Sequence, residues 1–101
     1  MKPRRVRFTA TAHEHIRREK AWWLENRAHV DVFAEELEDA IRVLTWLPGA
    51  GTGYPNPGIS GLRRLYVPKV ASHLYYTFDG HEVIVRAFWG ARRRHGPRLR
   101  P

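Results

Sequence analysis

The amino-acid sequence predicts an α+β fold with the order strand-helix-helix-strand-strand-strand, in which a helical hairpin packs on one face of an antiparallel sheet. Three observations predict it: two segments of helical periodicity follow a short alternating run, three strand-like runs come after them, and an Asp-Gly pair joins the last two runs. The chain has 101 residues, of which 43% are hydrophobic, so it can bury one sizeable core but not two. We therefore expect a single domain over residues 1–101.

The first strand and the first helix follow from short patterns. In "RVRF" apolar and basic residues alternate, as they do in a half-buried strand. Thr11 is followed three residues later by Glu14, which matches a capping box and predicts a helix from about Ala12 to Arg27. The residues predicted for its apolar side are Ala12, Ile16, Trp23 and Leu24.

The second helix has the clearest periodicity in the chain, and Pro48-Gly49 ends it. Its apolar positions are Val30, Phe33, Ala34, Leu37, Ala40, Ile41, Leu44 and Leu47. Only a short connection around Asn26 to Asp31 separates the two helices, which predicts an antiparallel hairpin. Five glycines and three prolines then make residues 48–61 a loop.

Three strand-like runs follow the loop, at residues 62–67, 70–78 and 81–89. Asp79-Gly80 predicts a two-residue type I′ turn between the last two runs. The pairs expected on the helix-facing side are Phe78 with His81, Tyr76 with Val83, Leu74 with Val85, Ser72 with Ala87, and Val70 with Trp89. The pairs on the other side are Thr77 with Glu82, Tyr75 with Ile84, His73 with Arg86, and Ala71 with Phe88. That second side is mixed and open to solvent or a partner.

Composition narrows the classes of function. The net charge is +8, and the excess lies in residues 40–101, which hold ten Lys/Arg but only Asp79 and Glu82. Such asymmetry indicates a polyanionic or acidic partner. Because cysteine is absent, a disulfide framework and a thiol nucleophile are excluded and a cytoplasmic location is expected. We expect no membrane segment and no cofactor. We also expect no metal, since the side chains of His13 and His15 point in different directions on a helix and cannot chelate one ion together.

The order of elements, together with particular residues, resembles the RelE/ParE superfamily of bacterial type II toxin–antitoxin toxins. The resemblance runs along nearly the whole chain, through "VRFTATAHEHI", "LTWLPGAG", "GLRRLYV", "HLYYTFDGHEVIV" and "WGARRR". It implies a small basic toxin that stops growth and is neutralised by a cognate antitoxin. RelE-like members cut messenger RNA on the ribosome, whereas ParE-like members poison DNA gyrase.

The resemblance to the nucleases is partial. If the chain is a metal-independent endoribonuclease, the catalytic candidates are Arg64, His73, Arg92 and His95. Arg64 and Arg92 match basic positions of those enzymes. However, His73 stands where they commonly carry arginine, Tyr66 replaces a second basic residue, and only His95 can replace their C-terminal tyrosine as the acid.

The ParE-like pattern fits better, and we expect gyrase poisoning, with ribosome-dependent RNA cleavage as the alternative. A basic nucleic-acid-binding module is a third interpretation. The expected partners are the antitoxin and either gyrase or the ribosome with its message. The predicted target-binding residues are Arg63, Arg64, Lys69, Arg86, Arg92, Arg93 and Arg94. An apolar line of Val32, Val43 and Trp46 on the second helix is the predicted antitoxin seat.

Overall fold

The computed structural model describes residues 2–27 and 30–99. Its helices are α1 (Ala10–Asn26) and α2 (Val30–Trp46), and its strands are β1 (Arg5–Phe8), β2 (Thr52–Gly53), β3 (Arg63–Val67), β4 (Ser72–Phe78) and β5 (Glu82–Gly90). The strands form one sheet in the order β1-β5-β4-β3-β2. This confirms the α+β class and the predicted element order, to which the structure adds the short strand β2 inside the loop.

The sheet is mixed, whereas an antiparallel sheet was predicted. Strand β1 pairs in parallel with β5, with Val6 opposite Val83 and Phe8 opposite Val85, and the other pairs are antiparallel. Alternation within β1 predicts a strand but contains no information about the direction of its neighbour. The pairing with the last strand places β1 at the edge of the sheet, and the helices then cross one face.

Helix α1 begins two residues earlier than predicted because Thr9, not Thr11, is its N-cap. The Thr9 hydroxyl accepts a hydrogen bond from the Ala12 amide at 3.1 Å and donates one to the Arg86 carbonyl at 3.3 Å. Glu14 does not complete a capping box, since its carboxylate pairs with Arg17 at 2.6 Å. Contact with β5 therefore selects the cap.

Most of the predicted helical faces pack on the sheet. In α1, Ala12 and Trp23 are buried and Ile16 packs against them. In α2, Phe33, Ala40 and Leu44 are buried and Leu37 packs against them. Three predicted core positions are wrong: Leu24, Ala34 and Leu47 are exposed. Leu24 lies about 100° around α1 from Trp23, and Leu47 follows the last helical residue, so the periodicity of α2 no longer applies to it. The side chain of Val30 lies outside the described residues.

The β4–β5 turn is one step further along the chain than predicted. Phe78 pairs with Val83 rather than with His81, and the Asp79 amide donates to the Glu82 carbonyl at 3.0 Å. The Asp79 carboxylate accepts hydrogen bonds from the His81 amide at 2.7 Å and the Glu82 amide at 2.9 Å. Among the described residues only Ala71 and Gly61 have positive φ, so the type I′ prediction is wrong. Asp79 closes the turn through its side chain instead.

A β-bulge at Arg86 changes which residues face the helices. Tyr76 pairs with Val85 but Tyr75 pairs with Ala87, which leaves Arg86 as the extra residue in β5. Beyond the bulge, the side chains of β5 alternate between the two faces of the sheet in the opposite phase. Phe88 therefore joins the core against the helices. Ala87 joins the cluster on the other face, with Trp89 packed against it. The predictions for these three residues are therefore wrong. The predicted helix-facing positions of Leu74, Tyr76, Val83 and Val85 are confirmed.

Candidate functional site

The sheet face opposite the helices, here called the open face, is partly covered at its centre. Tyr75 of β4 and Ala87 of β5 pack there against Ile59 and Leu62 from the long loop. Tyr54, Trp89 and Leu99 pack around this cluster. The Tyr54 and Tyr75 rings meet edge to face with centroids 5.0 Å apart. The loop and the C-terminal segment thus cover the centre of the open face and leave its rim to carry polar and charged side chains.

Arg64 and His73 lie on this rim. The Arg64 guanidinium stands over the Tyr54 ring at 5.0 Å, which is a cation–π distance. The His73 ring lies 5.2 Å from the half-exposed Tyr66 ring and 6.0 Å from that of Tyr75. Burial, and then the nearby positive charge of Arg64, lower the pKa of His73 below its ordinary value. This imidazole is therefore mostly neutral near pH 7 and can accept a proton.

Trp89 organises the end of β5 and the residues that follow. Its indole N–H donates to the His95 carbonyl at 2.6 Å, and the Arg93 guanidinium stands over the ring at 4.2 Å. The His15 ring of α1 meets it edge to face with centroids 5.1 Å apart. The C-terminal segment is therefore held against α1 by way of one aromatic ring. The sequence analysis predicted that Trp89 faces the helices, and it assigned no functional role to His15.

The remaining predicted target-binding residues fall into two groups. Arg92 and Arg94 are exposed in the turn after β5, and no ion pair within residues 2–27 and 30–99 involves them. Lys69 is at the same end of the sheet, because the Ala91 amide donates to the Ala71 carbonyl at 2.8 Å and so joins the β3–β4 connection to the end of β5. The Lys69 ammonium pairs with Glu36 of α2 at 3.4 Å.

Arg63 and Arg86 are engaged with the protein itself. Arg63 points to the helix-facing side of β3, where its guanidinium donates to the carbonyls of Gly49, at 3.1 Å, and Gly51. The Arg86 guanidinium donates to the Thr77 hydroxyl at 3.0 Å. These contacts show a structural role for both side chains. The structure thus brings Arg64 to the open face, Arg92 and Arg94 to its end, and Arg93 over Trp89 near His15, but it places Arg63 apart from them.

The C-terminal end of α2 presents an apolar surface. Trp46 is 46% exposed and Leu47 is 56% exposed, and with Arg4, Pro48, Gly49 and Ala50 they line a cavity of about 550 Å³. Val43 lies one turn earlier and is 37% exposed, whereas Val32 is partly buried and packs against the core. Two of the three residues predicted for the antitoxin seat therefore share one surface. Leu47 was missed because the helical pattern assigned it to the core.

Among the residues that the structure describes, no three His, Asp or Glu side chains come together in an arrangement that could hold a metal ion. His13 and His15 indeed diverge, because the His13 ring lies 5.5 Å from Phe8 and the His15 ring lies against Trp89. His95 lies on the α1 side of Trp89. His73 is the β4 residue that pairs with Trp89 in the sheet. No hydrogen bond or aromatic contact of the described residues joins His73 to His95.

Comparison with known proteins supports the fold. No protein-family model and no curated protein matches the sequence. Among solved structures, a chain from the chromosomal ParDE toxin–antitoxin system of P. aeruginosa is similar with a TM-score of 0.72. The match covers 88% of this chain and 97% of that chain at 12% sequence identity. At this sequence identity the likeness shows a shared fold.

Proposed function

We propose that the chain is the toxin of a type II toxin–antitoxin system and that it inhibits growth by poisoning DNA gyrase. The observation that carries this proposal is the fold, which is shared over nearly the full length with a chain of a ParDE system. No helix in the described part of the chain is long and apolar enough to cross a membrane.

The arrangement of the four nuclease candidates favours gyrase poisoning over RNA cleavage. A metal-free ribonuclease needs a base, an acid and phosphate-binding cations around one phosphodiester. Here Trp89 is paired with His73, and its ring contacts His15 while its N–H is bound by the His95 backbone. No hydrogen bond or aromatic contact of the described residues joins the imidazole of His73, the candidate base, to that of His95, the candidate acid. Apolar residues of the loop cover the centre of the open face between β4 and the C-terminal segment.

Exposed cations provide the target-binding surface in this proposal. Arg92 and Arg94 project from the turn after β5, Arg93 is held over Trp89, and Arg64 lies on the rim of the open face. Positive charge concentrated at one end of a small protein attracts nucleic acid or an acidic protein surface. Either could form part of a gyrase–DNA complex. Arg63 and Arg86 are not part of this surface, since their guanidinium groups bind protein oxygens elsewhere.

Exposed apolar residues at the end of α2 form the antitoxin seat in this proposal. Val43, Trp46 and Leu47 are large side chains left in water, and a cavity of about 550 Å³ adjoins them. Tryptophan in such a position is typical of the residues that dominate binding energy in protein interfaces. The antitoxin would place apolar side chains in this cavity, with an acidic group near Arg4.

Ribosome-dependent RNA cleavage is the second candidate, because one observation favours it. His73 has a lowered pKa and lies beside Arg64, so a neutral imidazole and a guanidinium are available together on the rim. A neutral imidazole can accept the proton of a 2′-hydroxyl while an arginine binds the phosphate. This pair could act without His95.

Two assays on the purified protein distinguish the candidates. The first measures supercoiling by gyrase and the trapping of gyrase–DNA breaks, and the second measures ribosome-dependent cleavage of a message. We expect trapped breaks with an intact message. Replacing Arg92 and Arg94 by alanine should abolish the effect, whereas Arg42→Ala removes an exposed arginine of α2 and should not. Cleavage of the message that is lost in His73→Ala, with no effect on gyrase, would refute the proposal.

A further inference from the structure

A cavity of about 810 Å³ lies beside the edge of β5, and neither the antitoxin seat nor the rim of the open face includes it. It exists because β1 ends at Phe8, opposite Val85, while β5 continues to Gly90. The first turns of α1 and the C-terminal segment close its two sides. Its lining residues are Thr11, His15, Arg18, Trp89, His95, Gly96 and Arg98.

The orientation of His15 is fixed by the end of the strand that β1 does not cover. The backbone amide of Phe88 donates to Nδ1 of His15 at 3.2 Å. A ring whose Nδ1 accepts a hydrogen bond carries its proton on Nε2 when it is neutral. The sheet therefore selects the tautomer, and the Nε2–H group of His15 remains as a donor for a ligand in the cavity.

Two of the residues that line the cavity are arginines, and none of its lining residues is acidic. Arg18 and Arg98 are exposed, and Arg93 adds a third guanidinium above Trp89. The pKa of His15 is lowered by burial and then by the charges of Arg18 and Arg93, which is consistent with a positive potential at this ring. The neighbouring carboxylate of Glu14 contacts Arg18 at 3.2 Å but binds Arg17 more closely, at 2.6 and 2.9 Å.

We infer that this cavity binds the phosphate group of a nucleotide or of a nucleic-acid strand. The donors reach one cavity from α1 and the C-terminal segment, an arrangement that suits a compact anion with several acceptor oxygens. An acidic peptide would instead be expected to need charges spread along an extended surface. The volume exceeds that of a phosphate alone and leaves room for a sugar and a base beside the indole. The inference does not depend on the toxin assignment, because it concerns direct binding by the isolated chain.

Isothermal titration calorimetry with adenosine 5′-monophosphate and with adenosine tests the inference. We expect binding of the nucleotide and none of the nucleoside. The double variant Arg18→Gln/Arg98→Gln removes two charge-assisted contacts and should weaken binding by about tenfold or more. The control Arg42→Gln removes one exposed arginine elsewhere and should leave the affinity within about twofold of wild type, since distant exposed charges are screened.

A single-stranded oligonucleotide, with and without a 5′-phosphate, identifies the source of the phosphate. Tighter binding of the phosphorylated strand indicates a terminal phosphate, and equal binding that the double variant weakens indicates a backbone phosphodiester. Both altered side chains are exposed, so circular dichroism should show folded variants. Equal affinity for nucleotide and nucleoside, unchanged binding by the double variant, or tighter binding of an acidic peptide would each overturn the inference. None of these results would alter the outcome of the gyrase assay.

Discussion

Tyr76 connects the loop after α2 to the core, and its hydroxyl group is the sharpest test of the fold. The side chain is fully buried. Its hydroxyl donates to the Pro48 carbonyl at 2.6 Å and accepts from the Gly51 amide at 3.0 Å. Tyr76→Phe removes one oxygen atom and leaves both backbone groups without that partner. Since an unsatisfied buried polar group costs roughly 1–3 kcal/mol, the free energy of unfolding should fall by about 2–4 kcal/mol.

Urea denaturation followed by tryptophan fluorescence measures this loss, with the m-value checked for constancy. Tyr66→Phe makes the same chemical change at a side chain that is 49% exposed, so its effect should stay within about 0.5 kcal/mol. A domain of this size should also lose about 4–8 °C of melting temperature for each kcal/mol. If Tyr76→Phe is as stable as Tyr66→Phe, the hydroxyl does not hold the loop as described.

Three further outcomes are expected. Because the pKa of His15 is lowered in the fold, the unfolded state binds a proton at this residue first as the pH falls. The contribution of His15 to stability should therefore be constant above about pH 6.5 and decrease from there towards the folded pKa, and His15→Gln should reduce the slope of this part of the urea-derived profile. Thr9→Ala should lower the free energy of unfolding by about 0.5–2 kcal/mol while Thr11→Ala changes it little, a contrast that thermal melts can detect. Trp46→Ala should weaken antitoxin binding by about 2 kcal/mol, whereas Leu24→Ala, at an exposed apolar side chain of α1, should not, as calorimetry with the purified antitoxin would show.

Local periodicity predicted the elements of this fold, but contacts between distant segments decided their details. The choice between Thr9 and Thr11 illustrates the difference. Thr11 has the better local pattern, with Glu14 three residues later, yet Thr9 has the strand end beside it and bonds to the backbone of Val85 and Arg86. A rule that considers only neighbouring residues cannot find this contact. The parallel pairing of β1 was missed for the same reason.

The side of the sheet on which each site residue lies was predictable from the sequence up to the bulge in β5. His73 and Tyr75 were expected on the side away from the helices, and the structure places them there because alternation in β4 is unbroken. One extra residue in β5 inverts the pattern, and Trp89 moves to the open face. A bulge leaves no reliable mark in a single sequence, since Arg86 is as compatible with a regular strand as with a bulge. The cavity beside His15 could not be predicted, because it depends on where β1 ends.

The two proposed binding surfaces lie at opposite ends of the sheet, which constrains how an antitoxin can neutralise the protein. Trp46 lies near Arg4, which bonds to the Asp79 carbonyl at the β4–β5 turn, whereas Arg92 follows the other end of β5. The seven residues of β4 span about 23 Å between those ends. An antitoxin that shields both must therefore extend along the sheet by at least about seven extended residues or about fifteen helical ones. A fragment that reaches only the Trp46 end should bind the protein yet leave gyrase inhibition intact. Full neutralisation by such a fragment would show that the basic end is not the target-binding surface.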